Sequence, residues 1–197
     1  YAKTLNEDPG HIRARLNRSS IFMALDDGRK ALDDAEILLD LAPNFTLARF
    51  KKAEAEMLLG EWSNARSDLE LVIEKAPHHH QALTQLAACF MALNRPERAE
   101  TPLNDALRIA QNYAPAWHQR GLLYLEWSRD DSALSDFEAA VKCDNNHLDA
   151  NLHIAALHHE AERFDSAEIG WRAVLAIDPD HVVARTRLDE CEIKLMA

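Results

Sequence analysis

Residues 116–124 read AWHQRGLLY and residues 130–140 read DDSALSDFEAA, and these two stretches decide the fold. They read as two consecutive helices, and the same pair recurs along the chain at an interval of 34 residues. An alanine series marks the interval without exception: Ala31, Ala65, Ala99, Ala133 and Ala167. A fixed period in this range predicts a solenoid of stacked helical units, whose broad role is to hold another molecule on an extended surface.

The fourth unit resembles the tetratricopeptide repeat (TPR), whose pattern runs Trp, Leu-Gly, Tyr, Ala-x3-Phe and Pro. Five residues match that pattern position by position: Trp117, Gly121, Tyr124, Ala133 and Phe137. Arg120 departs from it at the Leu position, and Asn145 departs from it at the Pro position. The resemblance covers nearly the whole chain and implies an all-α fold, a right-handed α-solenoid of stacked antiparallel helix pairs.

Proline, or a residue in its place, recurs at the same interval and ends each second helix, because proline lacks an N–H group. This proline series is Pro9, Pro43, Pro77, Gln111, Asn145 and Pro179. It predicts the end of a preceding repeat helix over residues 1–9, in a longer natural chain, five units within residues 10–181 and a capping helix over residues 182–197. The five units are about 12–45, 46–79, 80–113, 114–147 and 148–181. Pro102 falls about two turns into its helix and predicts a kink.

Composition narrows the class of partner. The chain of 197 residues carries a net charge of −11, which argues against nucleic acid because nucleic-acid binding needs a basic surface. No apolar run approaches the roughly 18 residues of a membrane span. The three cysteines show no CxxC spacing, which favours free thiols, and their odd number fits a reducing compartment such as the cytoplasm. We therefore expect a protein or peptide partner, or self-association.

Motifs that carry chemistry are missing from the sequence. The ten histidines include adjacent ones at 78–80, which point apart on a turn, and others at 153, 158 and 159, whose spacing does not share a helix face. No Gly-rich phosphate loop, GxSxG or HExxH occurs. We therefore expect no metal, no cofactor and no catalysis.

Two rows of side chains favour a peptide-binding groove on the first helices. The donor row lies eight residues after the proline series and contains no acidic or apolar member: Asn17, Lys51, Gln85, Gln119, His153 and Arg187. The apolar row lies one residue earlier and is mixed but mostly apolar: Leu16, Phe50, Thr84, His118, Leu152 and Thr186. Donors beside apolar side chains suit an extended peptide, whose carbonyls accept the hydrogen bonds.

Basic residues crowd the first two units, and two interpretations stay open. One is an anion-binding entrance for an acidic or C-terminal segment, formed by Arg13, Arg15, Arg18, Arg49 and Lys52. The other is edge exposure with pairing to nearby acids of the same chain, namely Asp26, Asp27 or Asp33.

The leading hypothesis is a non-catalytic protein-interaction scaffold that binds an extended peptide or a partner domain in its groove. One alternative is the substrate-recognition or targeting segment of a larger enzyme, such as a glycosyltransferase or a protease. The other alternative is a self-assembling or secretion-chaperone-type TPR protein. A catalytic domain beyond either end favours the first alternative, and light scattering across concentrations tests the second.

Overall fold

The computed structural model describes residues 1–196, which form twelve α-helices and one 3₁₀ helix. In chain order they are α1 (Ala2–Glu7), α2 (Ile12–Ala24), α3 (Gly28–Leu41), α4 (Thr46–Leu58), α5 (Trp62–Lys75), α6 (His80–Ala92), the 3₁₀ helix Pro96–Arg98, α7 (Glu100–Ile109), α8 (Ala114–Glu126), α9 (Asp130–Cys143), α10 (Leu148–Glu160), α11 (Phe164–Ile177) and α12 (Val182–Met196). None of these described helices is both long enough and apolar enough to cross a bilayer.

The helices belong to two compact bodies, an N-terminal body from Tyr1 to Ile109 and a C-terminal body that begins at Ala110. The first helices are α2, α4, α6, α8, α10 and α12, and each of the first five packs on the second helix that follows it. Second helices also pack on the next first helix, as α3 does on α4 and α9 does on α10. The stacked helix pairs predicted from the period are therefore confirmed within each body.

Small residues let the two helices of a pair approach closely. Every member of the alanine series is 0% exposed. In the fourth repeat, a Cβ atom on Gly121 would lie 2.5 Å from Cε1 of Phe137, so only glycine leaves room for that ring. Close packing of small against large side chains explains why these positions recur unchanged.

The turn between the two helices of each repeat contains one residue in the left-handed region. These residues also lie 34 apart, with φ between 54° and 74°: Asp26, Gly60, Asn94, Ser128 and Glu162. The next residue then donates to a carbonyl five positions back, as Arg129 does to Tyr124 at 2.8 Å. This bond belongs to the Schellman-type helix end, whose left-handed position favours glycine. Only Gly60 is a glycine, and the other four turns place a non-glycine residue at the left-handed position.

Imidazole rings cap four of the first helices. Nδ1 accepts the N–H of the residue three positions later, at 3.2 to 3.4 Å, in His11, His79, His147 and His181. Such a bond requires an unprotonated Nδ1, so each cap forms only while its ring is neutral. Phe45 and Tyr113 occupy the equivalent positions before α4 and α8, without a side-chain cap.

A second side-chain bond joins most first helices to the turn before them. Its acceptor is a carbonyl of the proline series, and its donor lies six residues later: Arg15 to Pro9 (2.8 Å), Arg49 to Pro43 (3.2 Å), Trp117 to Gln111 (2.8 Å), Asn151 to Asn145 (3.5 Å) and Arg185 to Pro179 (2.5 Å). Leu83 holds this donor position in the third repeat and has no group to donate. A side-chain N–H group therefore anchors the turn wherever the residue at this position can donate one.

The kink predicted at Pro102 is wrong. The second helix of the third repeat breaks earlier, with a 3₁₀ turn over Pro96–Arg98 and a new start of α7 at Glu100. Pro102 therefore lies in the first turn of α7, where an N–H group has no intrahelical partner to lose.

Candidate functional site

In the N-terminal body, the donor row lies on α2, α4 and α6. Asn17 is exposed, whereas Lys51 and Gln85 are half-buried. Both half-buried donors use one carboxylate: Lys51 Nζ lies 2.7 Å from Oε2 of Glu54, and Gln85 donates to Oε1 at 3.2 Å. The sequence spacing did not predict this shared acceptor.

The apolar row of the N-terminal body is mostly covered. Leu16 is half-buried, and Phe50 and Thr84 are buried. The Phe50 ring lies 4.5 Å from the ring of His79, and the Thr84 hydroxyl donates to the His80 carbonyl at 2.9 Å. Phe50 and Thr84 therefore lie beneath the surface of the first helices, whereas the donor-row side chains reach that surface.

In the C-terminal body, the donor-row residues Gln119, His153 and Arg187 lie on α8, α10 and α12. Gln119 and His153 are half-buried, and the exposed Arg187 pairs with Glu190 at 2.8 Å. The apolar row here contains the half-buried His118 and Leu152, followed by an exposed threonine at 186.

Imidazole rings surround Phe137 in this body. His153 stacks on the Phe137 ring, with centroids 4.7 Å apart and planes 14° apart. His118 lies 4.7 Å from the His147 ring and 5.6 Å from that of His153. Burial and these two neighbouring rings lower the pKa of His118 to about 4, and burial also lowers the pKa of His153. Both rings are therefore neutral at physiological pH.

The basic residues of the first two repeats converge on buried carboxylates. Arg15 lies 2.9 Å from Oδ1 of Asp34, and Arg18 binds both oxygens of that carboxylate at 2.7 Å. One repeat later, Arg49 at 2.7 Å and Lys52 at 2.5 Å contact Asp68. The partners are therefore Asp34 and Asp68 rather than Asp26, Asp27 or Asp33. Of the five residues predicted to form an anion entrance, only Arg13 is exposed.

A repeat that has a basic residue at the position of Arg18 also has an aspartate at the position of Asp34. In the fourth repeat Arg120 binds both oxygens of Asp136, at 2.6 and 2.9 Å. The other two repeats have neither partner: Leu86 with Pro102, and Ile154 with Gly170. The pairs are therefore packing elements of individual repeats, and an acidic ligand would have to displace Asp34 or Asp68.

The structure also brings together Cys191, His159 and Glu190, which the sequence analysis missed. The Cys191 Sγ lies 3.4 Å from His159 Nδ1, and His159 Nε2 lies 3.4 Å from Glu190. The thiol is 0% exposed, and burial raises its pKa, so it stays protonated rather than forming a nucleophilic thiolate. Among residues 1–196, no three His, Cys, Asp or Glu side chains are arranged to hold a metal ion.

Comparison with known proteins identifies the repeat. Tetratricopeptide repeat families match residues 56–120 and 114–147. None of the curated proteins matches the chain. A thermophilic TPR protein of Thermus thermophilus has a similar structure, with 22% identity, a TM-score of 0.78 and coverage of 92% of this chain and 99% of that one.

Two further structures are similar. YrrB, a TPR protein with an unusual peptide-binding site, is 20% identical with a TM-score of 0.63, over 94% of this chain and 95% of its own. A chain of the APC/C hetero-tetramer Cut9–Hcn1 is 17% identical with a TM-score of 0.83, over 96% of this chain and 38% of its own. The structural likenesses confirm the all-α solenoid fold, and the sequence matches identify the repeat. The chain therefore contains tetratricopeptide repeats, matched by sequence over residues 56–147.

Proposed function

We propose that this TPR protein is a non-catalytic interaction scaffold that binds an extended peptide, or an extended segment of a partner domain, along the donor row. The observation that carries the proposal is that none of the six donor-row side chains is buried, in a chain with a net charge of −11. A row of accessible donors without a single carboxylate suits the carbonyl groups of a peptide backbone.

The carboxylates that now engage the donor row do not prevent this role. Glu54 is one-fifth exposed where it pairs with Lys51, and Glu190 is nearly half exposed where it pairs with Arg187. The Arg187–Glu190 pair is exposed and contributes only about 0–1 kcal/mol, so a peptide can compete for Arg187. The ammonium of Lys51 has three N–H donors, so it can bind a peptide carbonyl while it keeps Glu54. The peptide-binding site of YrrB, which belongs to the same repeat class, supports a peptide as the partner.

Selection from a random peptide library on the immobilised chain would supply a probe, and calorimetry would then measure its affinity for variants. Asn17→Ala, Gln85→Ala and Gln119→Ala should each weaken binding by about 0.5–1.5 kcal/mol, because each loses one hydrogen bond. His153 is left unchanged because its ring packs on Phe137. The exposed Ser135→Ala and Lys142→Ala on the second helix α9 are controls and should bind like the parent. Full affinity in the triple variant would place the site elsewhere.

Exposed apolar side chains on α12 favour self-association as a second candidate function. Val182 is 75% exposed, Ile193 67% and Met196 85%. Light scattering should then show a mass that rises with concentration, and Val182→Ser with Ile193→Ser should abolish the rise. A constant monomer mass at all concentrations would remove this candidate.

A further inference from the structure

A polar cavity of about 390 Å³ in the N-terminal body lies away from the donor row. It is lined by side chains of α3, α4 and α5, and four carboxylates face two cations there: Glu36, Glu56, Glu61 and Asp68, with Arg29 and Lys52. This excess of negative charge favours a positively charged ligand.

Glu56 is the buried member of this lining. Glu56 is only 2% exposed. Its Oε2 atom is buried and has no hydrogen-bond partner among the described residues. The other oxygen of Glu56 accepts a bond from Lys52, whose ammonium also lies 2.5 Å from Asp68. One ammonium therefore serves two carboxylates, and half of the Glu56 carboxylate lacks a donor. Burial, reinforced by Asp68 and Glu61, raises the pKa of Glu56 despite Lys52.

The equivalent positions of the neighbouring repeats are filled differently. Phe22 precedes Glu56 by 34 residues, and Phe90 follows it by 34. Nζ of Lys30 lies 5.4 Å from the centroid of the Phe22 ring, and Cζ of Arg98 lies 4.4 Å from that of Phe90. Both neighbouring repeats therefore place a cation of their own against an aromatic ring at this position.

The second repeat lacks both parts of that arrangement. Glu56 replaces the ring, and Asn64 replaces the cation that Lys30 and Arg98 supply. Asn64 is exposed and donates to Glu61 at 3.1 Å, so it brings no charge to the cavity. The position is thus more acidic than its equivalents and has lost its own cation.

We propose that this cavity binds the cationic side chain of a partner peptide, a lysine ammonium or an arginine guanidinium, in the place that Lys30 and Arg98 occupy in the neighbouring repeats. The cation passes Glu36 and Glu61 and donates to the unpartnered oxygen of Glu56. Charge-assisted hydrogen bonds of this kind are the stronger ones, and a desolvated carboxylate strengthens them further. The cavity lining contains no donor-row residue, so the site does not depend on peptide binding by the donor row.

Nuclear magnetic resonance titration of the ¹⁵N-labelled full chain tests the proposal. N-acetyl-arginine amide and its lysine counterpart should produce saturable shifts in the amides of residues 52–56 and 61–68. The uncharged citrulline counterpart should bind at least tenfold more weakly. Methylguanidinium should bind severalfold more weakly than the capped arginine, because a peptide-borne side chain gains backbone contacts at the rim. Equal binding by methylguanidinium would contradict a peptide as the source of the cation.

Variants locate the site. Glu56→Gln should weaken binding of the capped arginine at least tenfold, whereas Glu74→Gln, which removes an equal charge from the exposed end of α5, should not change it. Since Glu56→Gln also removes a partner of Lys52, a second variant keeps the test independent of folding. Asn64→Lys restores the cation at an exposed position and should block binding at least tenfold without lowering Tm. Unchanged affinity in both cavity variants, or equal binding of citrulline and arginine, would overturn the proposal.

Discussion

At the scale of single residues, buried charge is handled repeat by repeat. Asp34, Asp68 and Asp136 occupy one repeat position, and each is at most 7% exposed beneath a base from the preceding first helix. Where the base becomes an aliphatic residue, as in Leu86, the acid disappears as well. Base and acid are retained or lost as a pair because an unpaired buried charge is far more costly than a neutral replacement.

A double-mutant cycle on the fourth repeat measures this dependence. Asp136→Ala leaves Arg120 without its carboxylate and should lower the free energy of unfolding by about 3 kcal/mol. Adding Arg120→Leu should recover most of the loss, because the third repeat already places Leu86 there with no acid opposite. Urea unfolding gives both values. A double variant as unstable as the single one would show that the pair has another role.

At a left-handed turn residue, a single substitution should raise the free energy of unfolding rather than lower it. Glu162 has φ of 55°, a conformation that costs a non-glycine residue about 1–2 kcal/mol. Glu162→Gly should remove this cost and lose part of the gain to the greater freedom of glycine in the unfolded chain, for a net stabilisation of about 0.5–1 kcal/mol. Gly60→Ala, at the equivalent turn, should destabilise. Thermal melts that show no change, or the reverse order, would contradict the shared geometry of the turns.

The sequence alone predicted which residues are buried better than it predicted which residues form pairs. The alanine series reports burial directly, because only a small side chain fits where two helix backbones approach. The partners of Arg15 and Arg18 depend on which helix face meets which, across 16 and 19 residues, so the nearer acids looked equally suitable. The left-handed series carried a signal at the same interval of 34, but its residue types differ, and only the backbone reveals what they share.

At the scale of helices, two histidines with lowered pKa values make stability depend on pH. Burial lowers the pKa of His79, a cap of α6, and the pKa of His118 falls to about 4. The unfolded chain takes up protons near the ordinary histidine pKa of about 6.5, so it binds more protons than the folded chain below that pH. Stability should therefore be complete above about pH 6.5 and fall towards pH 5, by about 1.4 kcal/mol per pH unit for His118.

Asparagine at the caps tests this reading, because asparagine is a good N-cap that does not titrate. His79→Asn should reduce the slope of unfolding free energy against pH between pH 5 and 6.5. An unaltered slope in this variant would assign the pH dependence to other groups.

Helix α12 covers the last complete repeat. Trp171 and Val174 are at most 3% exposed and share a core cluster with Ala184 and Cys191 of α12. Deletion of residues 182–197 should expose that cluster and cause aggregation or a marked loss of stability, because terminal repeats need a cover. Size-exclusion chromatography and melting of the truncated chain give the readout. A monomer with the parental Tm would show that α12 is dispensable for folding.

The helix on which a residue lies was easier to predict from the sequence than the side chains that it contacts. The interval of 34 located the donor row on the first helices, because equivalent residues occupy equivalent helix faces. It could not predict that Glu54 contacts both Lys51 and Gln85, since that contact depends on side-chain reach between neighbouring repeats. The kink prediction for Pro102 failed because α7 begins at Glu100, later than the sequence pattern indicated, so the proline lies in the first turn of the helix.

At the scale of the whole molecule, repetition explains both fold and proposed function. One pattern of buried alanine and left-handed turn builds all five repeats. Four of the five cations predicted to form an anion entrance pair with buried aspartates, whereas the donor row keeps solvent access throughout. These observations support the proposal that an extended peptide binds along the first helices.

Hydrogen–deuterium exchange of the chain with and without a saturating library-selected peptide tests that claim most directly. Binding along the donor row should slow exchange in the first helices, in segments around Lys51, Gln85, Gln119 or His153. Photo-crosslinking from a benzoylphenylalanine at position 17 or 119 should attach the same peptide, and one at position 135 on α9 should not. Protection and crosslinks confined to the second helices α5, α9 and α11 would contradict the account.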